Sequence, residues 1–358
     1  MTVPASMSGS VLTRHGGPDA LEWRADLAVP TPGPGQVLVR VLAAGVNNTD
    51  INTRVGWYAP EVTGAISEVD HGADISAGGW GGAIGFPRIQ GADLCGRVVA
   101  VGTGTGPIRM SMRVTCPTCI PRPTQDNPVG LTVIGSEFDG AFAEYCLIEA
   151  RDLYDVSASP LTDVEIAAIP CAYGTAENLL TRAGVSRGQS VLVTGASGGV
   201  GMAAVQLAAL RGAVVMAVSA PQKAGAVRDA GAMQIIARSD TPPERSFDAV
   251  IDVVGGDAFG SLIRALKPGG NYAVAGAVAG PMVAADLREV YLADRTIHGC
   301  TYQPAEVFEH LVDLINKGAL RPLVSQTYPL ADIARAQADF ATKRYPGKLV
   351  LIPPSEEN

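Results

Sequence analysis

The sequence predicts an α/β protein whose later half is a doubly wound parallel sheet. Three observations carry the prediction. From about residue 158 to 299, short apolar runs alternate with helical patterns, which is how strands buried on both faces by crossover helices read. A glycine-rich turn separates one of those runs from the helix after it, in VLVTGASGGVGMAAV. Before residue 158 the chain reads instead as short strands separated by turn residues.

In chain order, a proline-rich turn leads into QVLVRVLAAGV, which alternates as a strand. Further short strands are expected at 98–101, 114–115 and 142–148. The Gly- and Ala-rich stretch 62–85 has weak periodicity and reads as a long loop or lid-like insertion. Thr162 and the acids after it open a helix in TDVEIAAI, and GTAENLLTRAG is a second helix ending at Gly184. SVLVTG is a buried strand, and the next helix sets Val200, Ala203, Ala204, Leu207 and Leu210 on one apolar face. AVVMAVS is the next strand, and PQKAGAVRDAG is a helix with proline in its first turn. MQIIA, FDAVIDVVG and GNYAVAG continue the strands, with helix over 261–267 before the last of them. Two amphipathic helices, QPAEVFEHLVDLINKG and PLADIARAQADFATKR, precede a terminal strand in GKLVLIP.

Composition narrows the function. Acidic residues outnumber basic ones 35 to 27, a net charge of -8 that argues against a broadly basic nucleic-acid-binding surface. The uncharged stretch 269–285 is short and broken by Gly-Pro, so no membrane insertion is expected. The first 15 residues lack the pattern of a signal peptide, and six cysteines in 358 residues make no disulfide scaffold. A reduced, cytoplasmic protein is the expectation.

The chemical signal is the turn. Gly195, Gly198 and Gly201 stand three apart between strand and helix, with Gly199 beside them. Glycines there let backbone N–H groups of Gly195, Ala196, Ser197, Gly198, Gly199, Val200 and Gly201 approach a pyrophosphate at a helix start. The strand-turn-helix setting makes a dinucleotide the expected ligand. A site for NAD usually offers an acid at the end of the second strand, yet no Asp or Glu occurs between Met202 and Arg228. Ser219 and Lys223 occupy that edge, and a hydroxyl with an ammonium suits a 2′-phosphate, so NADP(H) is the expected cofactor.

The ordered phrases AAGVNNTDINTRVGWY, IQGADLCGRVVAVG, DGAFAEYCLI, AAIPCAYGTAENLL, FDAVIDVVGG and LKPGGNYAVAG resemble the medium-chain dehydrogenase/reductase superfamily, especially its zinc-independent quinone oxidoreductase and enoyl reductase branches. The resemblance covers nearly the whole chain. It implies a GroES-like barrel-type catalytic domain over 1–157 and 300–358, and a Rossmann NADP(H)-binding domain over 158–299. It also adds Thr175, Gly255 and Ala277 to the cofactor contacts, and it implies a homodimer or homotetramer.

Zinc alcohol dehydrogenases of this superfamily carry ligands at the positions of Asn47, Ala92 and Cys171. Here only Cys171 keeps a ligand side chain, so no metal site is expected. Cys116 and Cys119 give only half of a four-cysteine pattern and read as packing residues. By the same resemblance, Asn47 and Asp50 match polar positions of the active cleft. Tyr58 matches a tyrosine that polarises or protonates the substrate, while Asn52 stands where many quinone reductases have another tyrosine. Arg54 is a candidate for holding a carboxylate or phosphate, and Trp57 for an apolar wall. The implied activity is hydride transfer from NADPH to a small hydrophobic carbonyl, enone or quinone. Two alternatives stay open: an alcohol dehydrogenase with an atypical zinc site, and a non-enzymatic NADPH-binding regulatory protein.

Overall fold

The computed structural model describes residues 3–69, 78–80 and 82–354. The chain divides into two compact units. One comprises Met1–Glu61, Asp70–Cys171 and Pro304–Asn358; the other comprises Val62–Val69 and Ala172–Gln303.

The first unit is built on the strand Gln36–Gly45, whose valines and alanines are buried on both faces. It pairs antiparallel with Cys95–Val101, Tyr145–Glu149 and Lys348–Ile352, and the last of these pairs in parallel with Val324–Pro329. A smaller sheet runs in the order Leu21–Ala28, Ser6–Leu12, Arg88–Ile89. Val39, Leu94, Val98, Phe142, Ile148, Leu349 and Leu351 form the core between these elements; burying a side chain of this size stabilises by about 1.5–3 kcal/mol. The helix Asp163–Ala167 packs on the strands Gln36–Gly45 and Cys95–Val101, so it belongs with this unit. Thr162 caps it, its hydroxyl accepting the Glu165 N–H at 3.2 Å.

Register sets the chemistry of this unit. Leu351 lies opposite Ala44 and Val350 opposite Gly45. Extending that antiparallel pairing by two residues brings Lys348 opposite Asn47, some 300 residues away in the chain.

The second unit holds six strands, all parallel. Their order is Gln234–Ile236, Val214–Val218, Ser190–Val193, Phe247–Asp252, Leu266–Val274, Thr296–Gly299. The chain builds outward from Ser190–Val193 on one side, then returns to Phe247–Asp252 and builds outward on the other. The sheet therefore changes direction between those two strands, and ligands bind at such a switch point beyond the carboxyl ends.

The alternation of strands and helices thus appears as expected, with local corrections. The helix expected over 261–267 spans Phe259–Ala265, and Leu266 already begins the next strand. Pro268 accounts for this, because it disfavours helical backbone at Lys267. Proline at the first turn also starts its helix earlier than expected at Pro170–Arg182. In PQKAGAVRDAG it makes a 3-10 turn, Pro221–Lys223, before the helix Ala224–Asp229. Within 62–85 the described residues contain a 3-10 turn at Ile66–Glu68 and one bridge between Gly79 and Gly82; residues 70–77 and 81 lie outside the described residues.

Candidate functional site

In the second unit, three loops meet beyond the carboxyl ends of adjacent strands. Gly195 has φ +55°, and a Cβ placed on it would stand 3.0 Å from Val253 and 3.1 Å from Val254. Gly201 is held tighter still: a Cβ there would fall 2.2 Å from the Gly195 carbonyl oxygen. Gly198 differs, since within the protein its Cβ would meet only the Gly195 oxygen at 3.5 Å, an ordinary contact. Packing thus demands glycine at 195 and 201, whereas at 198 the missing side chain leaves a free approach to the start of the helix Gly199–Leu210. These features fit a pyrophosphate. Gly255, at φ +66°, packs against Ala277 so closely that a Cβ there would lie only 3.1 Å from the Ala277 Cα and Cβ, so two more of the expected cofactor residues are brought together. Thr175 lies nearly buried on the helix Pro170–Arg182. That helix is tied to the glycine helix by the Tyr173 hydroxyl on Gln206, 3.2 Å, and to its end by the Glu177–Arg211 ion pair.

Asp252 is the residue that the sequence reading missed. It is fully buried at the end of its strand, and its carboxylate accepts the Thr194 and Tyr272 hydroxyls and the Val254 and Gly255 N–H groups. One side chain therefore clamps the loop after Phe247–Asp252 onto the residue preceding the glycine turn. A second acid, at the carboxyl end of the strand FDAVID, was the available signal.

At the outer edge of the same loops, Ser219 is buried and Lys223 half-buried. Burial, and the nearby Arg238 charge, hold the Lys223 ammonium below its usual range. Arg238, exposed just past the strand Gln234–Ile236, is a second cation that local sequence could not pair with Lys223.

In the first unit, the polar residues collect around the helix Asn48–Val55. Asn47 precedes that helix, and its N–H donates to the Asp50 carboxylate at 2.7 Å. The Asn47 amide is turned away: Nδ2 donates to Asp93 Oδ2 at 2.9 Å, and Oδ1 accepts from Lys348 Nζ. Lys348 also donates to Asp93 Oδ2, 2.8 Å, and to the Val46 carbonyl, 3.1 Å. Asp93 Oδ1 accepts the Cys171 N–H at 2.6 Å. Gly45 makes the approach possible, because a Cβ there would lie 2.3 Å from Asp93 Oδ2. Asn47, Asp93 and Lys348 are 5%, 0% and 3% exposed, so this is a buried, charge-paired cluster.

The cluster does not fit zinc. Asn47 offers an amide already bonded to an ammonium and Ala92 offers a methyl, so of the three positions only Cys171 keeps a ligand side chain. The Lys348 cation occupies the surroundings that a divalent ion would need. Among the described residues no group of three or more His, Cys, Asp or Glu side chains is placed to hold a metal. Cys116 and Cys119 are buried free thiols, both pushed up by burial. His71 lies outside the described residues.

Asp50 is 3% exposed. Burial raises its carboxyl to about 7; the Asn47 N–H and Lys348 oppose this, and the Asp93 charge adds to it. Folded protein therefore keeps this proton where unfolded chain, titrating near the ordinary aspartate value of 3.8, has lost it. Stability falls as pH rises from about 4 to about 7 and then levels. Replacing Asp50 by Asn is expected to remove that slope, so the D50N protein gains at least about 1 kcal/mol relative to wild type between pH 5 and pH 8. Urea unfolding at the two pH values measures it; a difference that does not vary with pH contradicts the assignment.

Tyr58 follows the helix. Gly56, left-handed at φ 74°, ends it and folds the chain back so that the phenol returns to the helix face. The phenol oxygen lies 3.3 Å from Thr49 Oγ1 and 3.3 Å from Asn52 Nδ2. Burial pushes Tyr58 up to about 12, so it is a neutral donor. Trp80 stacks on its ring at 5.7 Å between centroids and Trp57 meets it edge-on at 5.6 Å. Arg54 stands apart from this group. Its guanidinium is buried and donates to Gln337 Oε1 at 2.8 Å and to the Gly16 carbonyl at 2.6 Å, which ties segments of the unit together.

The alcohol dehydrogenase GroES-like domain family matches residues 33–158, and the zinc-binding dehydrogenase family matches residues 224–351. A solved protein of Sinorhizobium meliloti 1021 that carries a provisional alcohol dehydrogenase name is 40% identical, with TM-score 0.88 and 98% of each chain covered. The quinone oxidoreductase of Lama guanicoe is 26% identical over 95% of this chain and 96% of its own. The NADPH-dependent alkenal/one oxidoreductase of Arabidopsis thaliana is 26% identical over 98% of this chain and 81% of its own.

Proposed function

The chain belongs to the medium-chain dehydrogenase/reductase superfamily, in its quinone oxidoreductase-like branch, and from that premise we propose that it is an NADPH-dependent oxidoreductase reducing a quinone, enone or other activated alkene without catalytic zinc. The observation that carries this reading is the Lys348 ammonium bonded to Asn47 and Asp93, where the resemblance would put a metal. Alcohol oxidation needs a Lewis acid or strong base to form an alkoxide, whereas reduction of a conjugated carbonyl needs only a donor for the oxygen that gains charge.

A bound nicotinamide supplies the hydride. The 195–201 turn would hold its pyrophosphate, and Ser219, Lys223 and Arg238 its 2′-phosphate. Tyr58 donates a hydrogen bond to the acceptor carbonyl. Asn47 does not, because its amide protons point to Asp93 and Gly45. Trp57 and Trp80 beside the Tyr58 ring favour a small, flat, hydrophobic acceptor. The buried free thiols suit a reducing, cytoplasmic setting, and among the described residues no helix is long and apolar enough to cross a membrane. A homodimer or homotetramer would cover the exposed Leu287, Tyr291, Leu292 and Ile297 beside the edge strand Thr296–Gly299; sedimentation would give two or four times the chain mass.

The test is a screen of NADPH and NADH oxidation against quinones, enones and enoyl thioesters, run with a strong chelator throughout. NADPH turnover that survives chelation is expected. Activity lost on chelation and restored by stoichiometric zinc would overturn the reading, and cofactor binding without turnover across the panel would favour a regulatory protein. Changing Lys223 to Glu is expected to weaken NADPH by about tenfold or more while leaving NADH nearly unchanged. Equal effects on the two cofactors would remove Lys223 from the phosphate site.

A further inference from the structure

Among the described residues the hydroxyl of Tyr58 has two hydrogen-bonding neighbours, and they are not equivalent. Thr49 Oγ1 is a hydroxyl, able to donate or to accept as its hydrogen rotates. Asn52 presents Nδ2, a nitrogen that can only donate, at 3.3 Å from the phenol oxygen. Asn52 is 5% exposed, and its other amide atom, Oδ1, is buried with no hydrogen-bond partner among the described residues. The helix explains the placement: Thr49 and Asn52 are three residues apart and share one face, and the left-handed Gly56 folds Tyr58 onto that face. The Trp57 N–H returns to the Asn52 carbonyl at 2.8 Å, which fixes the turn against the same residue.

We propose that Asn52 is the positioning residue that sets the direction of the Tyr58 hydrogen. With Asn52 donating into one lone pair of the phenol oxygen, the phenol's own hydrogen must leave on another side. Without an acceptor it goes to Thr49, 3.3 Å away. When a carbonyl oxygen arrives, the Thr49 hydroxyl turns to donate to the phenol, and the Tyr58 hydrogen bonds to the carbonyl. Two donations into the phenol oxygen strengthen the one it makes. No bond to hydrogen breaks in this arrangement, so the charge balance of hydride transfer is untouched and the final proton comes from solvent. The assignment deepens the acceptor-reducing reading and rests on it for its chemical purpose.

Asn52→Leu keeps the side-chain size and removes the donor, and Asn52→Asp replaces the donor by an acceptor. A fluorotyrosine incorporated at position 58 reports the phenol titration by fluorine NMR, with no cofactor or substrate present. Its pKa is expected to rise by roughly half a unit or more in N52L and further in N52D, where a carboxylate faces the phenol. Single-turnover hydride transfer is expected to slow about fivefold in N52L and more in N52D. Neither change should slow the reaction when Y58F is already present. A fluorine titration unmoved in both variants overturns the assignment, as does equal slowing with and without the Tyr58 hydroxyl, which would mark Asn52 as packing alone. Absence of turnover with every acceptor would defeat the reductase reading, while the fluorine titration would still decide the Asn52 assignment.

Discussion

Replacing Lys348 by Met is expected to destabilise the protein by about 3–5 kcal/mol, the usual cost of stranding one partner of a buried ion pair. The ammonium donates to Asp93, Asn47 and the Val46 carbonyl, and both charged groups are almost wholly buried. Among the described residues its loss leaves the Asp93 carboxylate the neutral donors of the Asn47 amide, the Cys171 N–H and the Thr118 hydroxyl. Removing both charges in the K348M/D93N pair should restore much of the loss, because the desolvation cost of the charges vanishes with them. Urea midpoints of the two single variants and the pair measure the coupling. Additive losses would mean that the two charges are independent, and the structural claim for this cluster would fail.

The second large effect belongs to the glycine turn. Gly201→Ala places a methyl 2.2 Å from the Gly195 carbonyl and 2.7 Å from the Ala196 Cα. Neither is a flexible side chain, so the helix start must move away from the turn. Losing two or more charge-assisted backbone hydrogen bonds, at about 1.5–3 kcal/mol each, weakens a pyrophosphate ligand about 100-fold or more. Gly198→Ala separates packing from binding. The protein itself leaves room there, so thermal stability should hold while NADPH affinity falls. Calorimetric titration with both variants checks this. Wild-type affinity in G201A would place the pyrophosphate elsewhere.

The parallel half was legible because strand and helix periods differ and the glycine turn marks their junction. Tyr58, Asn47 and Asp50 entered only through the resemblance. The helix that Asn47 and Tyr58 flank and that carries Asp50, NTDINTRV, buries Thr49, Asp50, Asn52, Thr53 and Arg54 together, so no apolar stripe announces it. The strand Leu21–Ala28 was hidden for the opposite reason, being largely exposed along its length with no alternation to read. Lys348 reads locally as the polar start of a terminal strand. Its partners are set by the register of Lys348–Ile352 on Gln36–Gly45, a pairing of segments about 300 residues apart that no local pattern encodes. Arg54 shows the converse. Its position in the sequence suggested a ligand, whereas its bonds go to Gln337 and Gly16 in remote segments. Asp252 and Arg238 likewise acquire their roles from strands that become neighbours only in the folded sheet.

The most direct measurement follows deuterium. Chelator-treated protein is given NADPH deuterated at the transferring position of nicotinamide C4, together with an α,β-unsaturated ketone, and the product is examined by mass spectrometry and NMR. One deuterium is expected on the β-carbon of a saturated ketone, with a solvent-derived hydrogen on the α-carbon. Deuterium found instead on the carbonyl carbon of an alcohol product, formed only after zinc is restored, would contradict it.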